Sequence, residues 1–230
     1  MQSARGWFVT GTDTGVGKTL IALGLMRQLQ QQGHVVAGMK PVASGCVETR
    51  DGLRNEDALS LQQQSSLRFE YGRINPWAFA APIAPHLAAA QVGVRIGMDA
   101  TVAAFADIAA EVDYTVVEGV GGWLVPLNER ELLADLAARL RLPVILVVGI
   151  RLGCLNHALL TVEAIQCRGV SLAGWVANHL QPADAAAQAA VADLGARIPA
   201  PLLGVVPWLP VPAVDSLAHC LRLPDELAPR

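Results

Sequence analysis

At 230 residues the chain is long enough for one sizeable domain, and 53% hydrophobic against 16% charged residues favours a compact fold with largely buried strands. The formal net charge of −3, with no cluster of Lys and Arg to offset it, argues against a nucleic-acid partner. The longest apolar run, residues 143–150, is strand-sized and argues against a membrane partner.

The first strand-like run, WFVT at residues 7–10, leads into a glycine-rich loop. Residues 18–32 follow with helical spacing, where Leu20, Leu23, Leu25 and Leu29 make a broad apolar face. Residues 34–42 read as the second strand. The polar segment 44–57 and the Pro-rich segment 75–86 are long connections. Residues 99–112 then read as a helix, 114–122 as a strand entering glycines, 131–140 as a helix and 143–149 as a strand. A helix over 155–169, strands over 172–178 and 202–207, and a Pro-rich C-terminal tail complete the chain. Strands that are apolar throughout and alternate with helices predict an α/β fold. The sheet is doubly wound and mostly parallel, of the P-loop NTPase type, with helices on both faces of a single domain spanning residues 1–230. Long connections in such folds lie beside the strand ends where ligands bind. Arg5 precedes an apolar stretch too short for a secretory signal, and Cys46, Cys154, Cys167 and Cys220 lack C-x-x-C spacing. A cytoplasmic protein with reduced thiols and no zinc is expected.

The loop GTDTGVGKT raises the first chemical question. In the strict phosphate-loop spacing a glycine falls five residues before Gly17; here that position is Thr12, and the glycine is one place earlier, at Gly11. Gly15 and Gly17 still let backbone N–H groups curl around an anion, and the helix starting near Lys18 aims its positive end at the same point. Lys18 is placed to reach β- and γ-phosphates and the Thr19 hydroxyl to ligate Mg²⁺. Glu118 ends an apolar strand and supplies a hard oxygen ligand at its C-terminal edge. Asp57 reads either as a helix-dipole partner or as a second ligand. Lys40, directly before Pro41, reads either as a clamp on transferring phosphate or as a solvated strand-end lysine. Ser44 and Gly45 offer a hydroxyl and backbone donors. The helix start at Gly153–Asn156 suits a carboxylate, unless Asn156 is simply a local cap. Asn178, just past a strand, suits the edge of adenine or a turn. His157 and His179 suggest no metal.

Taken in order from Gly11 to Pro210, the segments GTDTGVGKT, KPVASG, GLRNEDAL, VEGVGGWLVPL, LPVILVVGIRLGCLNHALLT, GWVANH and IPAPLLGVVPWLP resemble the dethiobiotin synthetase family. These are ATP-dependent carboxylases that close the ureido ring in biotin synthesis, and their phosphate loop has the longer spacing seen here. The resemblance implies ATP phosphates on Gly15, Val16, Gly17, Lys18, Thr19 and Leu20, and Mg²⁺ on Thr19, Asp57 and Glu118. It implies Lys40 and Lys18 as catalytic lysines, Ser44 as a substrate contact, and Gly119, Val120 and Gly121 near the nucleotide. Asn178, His179, Pro207, Trp208 and Leu209 would frame adenine. Gly153, Cys154, Leu155 and Asn156 would receive the carboxylate of 7,8-diaminononanoate across a homodimer interface, with CO₂ as the second reactant. The chain departs from the family pattern at Gly15, where many relatives have glutamate, and at His179, where they have an acid. The first acid beyond PWL is Asp215. The rival reading is a partitioning-type ATPase switch, but such proteins usually carry a lysine early in the loop, and here Thr10, Thr12 and Asp13 precede Lys18 without one.

Overall fold

Six of the apolar runs lie side by side as one parallel sheet, and the chain between them winds over both faces. The computed structural model describes residues 5–210 and 213–224. In chain order the elements begin with β1 (Gly6–Gly11), α1 (Lys18–Gln31), β2 (Val36–Met39), β3 (Val42–Ser44), β4 (Val47–Thr49) and β5 (Gly52–Arg54). Next come α2 (Glu56–Gln64), α3 (Tyr71–Ile74), β6 (Trp77–Phe79), α4 (Pro85–Gln91), α5 (Met98–Ala109) and β7 (Tyr114–Glu118). The remainder is α6 (Leu133–Leu140), β8 (Val144–Ile150), α7 (Cys154–Cys167), β9 (Leu172–His179), α8 (Ala185–Arg197), β10 (Leu202–Val206) and α9 (Val214–His219).

The main sheet runs β10-β9-β8-β1-β7-β2, and each neighbouring pair is parallel. Successive strands fall on opposite sides of β1, so a crevice opens at its carboxyl end. Register decides what meets there. Val9 pairs with Glu118 and Gly11 with Val147, which sets the Glu118 carboxylate beside the start of the glycine loop. Alternation along the strands divides the core between the two faces. Phe8 and Val117 pack with Ile108 and Leu136, while Val9 and Val116 pack with Ile21, Leu25 and Leu29. All seven residues of β8 are buried, as its uninterrupted apolar run requires.

The expected strand over residues 34–42 is shorter. Pro41 has no N–H for a ladder, and the Lys40 N–H turns to the Ile74 carbonyl at 2.9 Å instead. The expected long connections carry small elements. The β4–β5 hairpin occupies most of 44–57, and β6, paired with β3, lies within 75–86. Helix α8 was not anticipated because of its buried residues it has only Leu194, which leaves no apolar period to read. Its cap, Asp184 accepting from the Ala187 N–H at 2.8 Å, was the available signal. The described part of the Pro-rich tail forms α9, which packs Leu217 and Ala218 against α1; residues 211–212 and 225–230 of that tail lie outside the described residues.

Candidate nucleotide and catalytic site

The loop between β1 and α1 is shaped by its glycines. Gly15 and Gly17 have φ of 73° and 92°, a left-handed backbone that costs other residues free energy. Gly11 is needed for a different reason, since a Cβ there would stand 2.5 Å from Val16 Cγ2. Gly17 caps α1 with no side-chain hydrogen bond and no acid in the first turn, so the helix presents unfilled N–H groups and a partial positive charge. Asn178, at the end of β9, donates its side-chain N–H to the Val16 carbonyl at 2.8 Å and ties the loop to the sheet. Lys18 is buried and donates to the Asp13 carbonyl at 2.9 Å. Burial, and then the neighbouring Lys40 charge, push its ammonium down to about 8.

Lys40 is no solvated strand-end lysine; it is 4% exposed. Its ammonium donates to Glu118 Oε1 at 2.5 Å and to Asp57 Oδ2 at 2.8 Å. Burial works against that charge, but the two carboxylates outweigh it and hold Lys40 protonated above its ordinary range. Burial likewise opposes ionisation of Asp57, and the Lys40 ammonium reverses the balance, leaving that carboxyl below its usual value. At Glu118, burial wins and pushes the carboxyl upward. Thr19 donates its hydroxyl to Glu118 Oε1 at 2.9 Å, while Glu118 Oε2 is buried with no partner. One hydroxyl and two carboxylates therefore meet at the loop, one carboxylate oxygen unsatisfied. That is a donor set suited to Mg²⁺, which takes one or two carboxylates and completes its shell with water and phosphate oxygens.

A cleft of about 930 Å³ opens over this cluster, lined by Gly15, Gly17, Lys18, Thr19, Leu20, Lys40, Ser44, Asp57, Glu118, Val120 and Gly121. A smaller pocket of about 180 Å³ shares Gly15, Gly17 and Leu20 and continues to Asn178, His179, Pro207, Trp208 and Leu209. Most of the sequence-predicted residues thus come together on one crevice. Val16 does not line it; its side chain is buried beneath the loop. Nor does Gly119, which packs so closely on Leu133 and Phe8 that an added Cβ would stand 3.0 Å from Leu133 Cδ2. Gly153, Cys154, Leu155 and Asn156 line neither cavity. Gly153 is the α7 cap, and no side chain hydrogen-bonds there, so Asn156 is not a local cap. Arg151, just before it, reaches back to Asp13 of the loop at 2.6 Å. Asp215 pairs with Arg27 at 2.6 Å rather than lining the small pocket. Sequence reasoning named no residue of the wall formed by Pro82, Ile83, Ala84 and Pro85, although the proline spacing had marked a connection at the ligand edge.

A parallel sheet whose central strand runs through a glycine loop into a helix, with a lysine and a threonine at the helix start, defines a P-loop nucleotide-binding protein. The fold is similar to that of the MinD cell division protein of Aquifex aeolicus, with a TM-score of 0.57 at 16% identity, covering 95% of this chain and 87% of that one. It is also similar to a ParA family ATPase from Chlorobium tepidum TLS, with a TM-score of 0.55 at 14% identity, covering 90% and 86%. A family model described as an AAA domain matches residues 5–213. In sequence the chain is 51% identical over 221 residues to the ATP-dependent dethiobiotin synthetase BioD of Cellvibrio japonicus (strain Ueda107), covering 96% of this chain and 97% of the relative. It is 47% identical to the protein of the same name from Xanthomonas campestris pv. campestris (strain B100), covering 95% and 98%. The chain belongs to the ATP-dependent dethiobiotin synthetase family.

Proposed function

We propose that the chain works as a single nucleotide-binding domain that makes dethiobiotin from 7,8-diaminononanoate, CO₂ and ATP, releasing ADP and phosphate. The observation that carries this reading is the convergence of Lys18, Lys40 and the open α1 N-terminus on one cleft, in a chain about half identical to named dethiobiotin synthetases. In the proposed reaction an uncharged substrate amine adds to CO₂ and loses a proton, giving a carbamate. A carbamate oxygen attacks the γ-phosphorus, the bond to ADP breaks, and a carbamic–phosphoric anhydride forms. The neighbouring amine then attacks the carbonyl, the ring closes and inorganic phosphate leaves.

Negative charge gathers at each step, and the chain's part is to meet it with groups already in place. Lys18 and the loop N–H groups surround the transferred phosphoryl. Lys40 stands beside the carbamate and phosphate oxygens. Thr19, Asp57 and Glu118 would hold Mg²⁺, which when bound neutralises phosphate charge. Ser44 contacts the substrate, the pocket of Asn178, His179 and residues 207–209 takes adenine, and Gly153–Asn156 of a second copy receives the substrate carboxylate in a cytoplasmic homodimer. Holding amine, carbamate and phosphate in line contributes on the order of 7–11 kcal/mol.

The test is ADP release with the diamine and bicarbonate each omitted in turn. Release that requires both is expected. Release indifferent to the diamine but stimulated by DNA or lipid vesicles would instead identify a switch ATPase.

A further inference from the structure

We propose that Tyr71 and Asn75 are positioning residues, which hold Lys40 and Asp57 in mutual register for Mg²⁺-dependent nucleotide binding through a closed ring of hydrogen bonds. The inference rests on the reading of Asp57 as a metal-side carboxylate and Lys40 as the lysine beside it.

The need for such a device follows from where β2 stops. Its last register pair is Met39 with Val117, and Pro41 brings no N–H, so Lys40 stands just beyond the support of the sheet. Two residues at the end of α3 replace that support. The Ile74 carbonyl accepts the Lys40 N–H at 2.9 Å, and the Asn75 side-chain N–H donates to the Lys40 carbonyl at 2.7 Å. Asn75 is 3% exposed, and its amide oxygen accepts the Tyr71 hydroxyl at 2.9 Å. The same hydroxyl accepts the Asn55 backbone N–H at 2.8 Å. Asn55 in turn caps α2, its side-chain oxygen accepting from the Ala58 N–H at 3.2 Å. Asp57 sits in that first turn and returns to the Lys40 ammonium at 2.8 Å.

The ring therefore passes from the Lys40 backbone through Asn75, Tyr71 and Asn55 to Asp57, and back to the Lys40 side chain. Tyr71 and Asn75 line neither cavity, so whatever they contribute to ligand binding passes through the residues they hold at the large cleft, Lys40, Asn55 and, through the α2 cap, Asp57. A hydroxyl is suited to the junction because it donates to one neighbour while accepting from the other. Phenylalanine at position 71 keeps the buried ring and removes this junction alone, leaving the half-buried Asn55 N–H and the buried Asn75 amide oxygen unpaired.

Tyr71→Phe is tested in the whole protein by titrating Mg²⁺ while ADP binding is measured calorimetrically, with steady-state kinetics alongside. The half-saturating Mg²⁺ concentration is expected to rise, and kcat to fall, by about tenfold. ADP binding without Mg²⁺ and the KM for the diamine should change less than about twofold by the same reasoning. Asn75→Ala should act in the same direction. In an Asp57→Asn background, Tyr71→Phe should no longer move the Mg²⁺ midpoint, because the coupled partner is already gone. A Tyr71→Phe protein that melts earlier yet keeps its Mg²⁺ midpoint would overturn the proposal, as would a full effect surviving in the Asp57→Asn background. Failure of the wild-type protein to convert the diamine would refute the proposed reaction but leave the Mg²⁺ and ADP measurement intact.

Discussion

Lys18 and Lys40 are both buried at the same crevice, yet their surroundings drive them in opposite directions. Burial, and then the neighbouring Lys40 charge, lower the proton affinity of Lys18; at Lys40 burial is outweighed by the two carboxylates that hold it, and it keeps its charge. Each is a fixed donor aimed at phosphate in the proposed reaction. Lys18→Gln and Lys40→Gln should each lower turnover by about 10²-fold or more in steady-state assays, the cost of removing one charge-stabilising donor. A near-wild-type rate in either variant would remove that lysine from the chemistry. Gly17 is the other residue on which much depends. Its φ of 92° strains any L side chain, and a Cβ would stand 2.2 Å from Asn178 Nδ2. Gly17→Ala should weaken ADP binding at least about tenfold by calorimetry, since strain of this kind costs on the order of 1–3 kcal/mol. Adding Asn178→Ala removes the clash but not the backbone strain. Full recovery in that double variant would show that φ is not the constraint.

Among the elements, α2 has a task out of proportion to its nine residues, because it delivers Asp57 to the cluster. Its start is set by Asn55, whose side chain accepts from the Ala58 N–H. Asn55→Ala should cost about 1 kcal/mol of stability, as loss of a cap usually does. For a protein of this size that lowers the melting temperature by roughly 2–4 °C. A shift no larger than the scatter between repeat melts would show that the cap contributes nothing measurable. The strands and α1 were legible because each buries a continuous stripe that repeats locally along the chain. Helix α8 was not, for it buries Leu194 on an otherwise alanine-rich surface. The hairpin β4–β5 escaped because its residues are mostly exposed and carry no apolar alternation.

In the molecule as a whole, the order β10-β9-β8-β1-β7-β2 brings residues from both halves of the chain to one crevice at the end of β1. The α7 N-terminus lies outside that crevice, with Leu152 fully exposed beside it. If a second copy supplies this helix end to the substrate, sedimentation should give twice the 24.2 kDa chain mass. Asn156→Ala should then raise the KM for the diamine more than the KM for ATP. A monomeric active enzyme, or equal effects on both constants, would take the substrate carboxylate elsewhere.

What the amino-acid order determined alone was whatever is local in the chain. The glycines, lysine and threonine of one short loop lie within nine consecutive residues, and buried strands declare themselves by unbroken apolar runs. Packing decided the rest. Lys40 lies 17 residues from Asp57 and 78 from Glu118, so nothing in its neighbours along the chain distinguishes a clamp from a solvated lysine. Nor does the sequence say that the Asn178 amide is already committed to the Val16 carbonyl, 162 residues away. Desolvation and ion pairing are properties of distances in space, and those distances exist only once the sheet has brought its strand ends together.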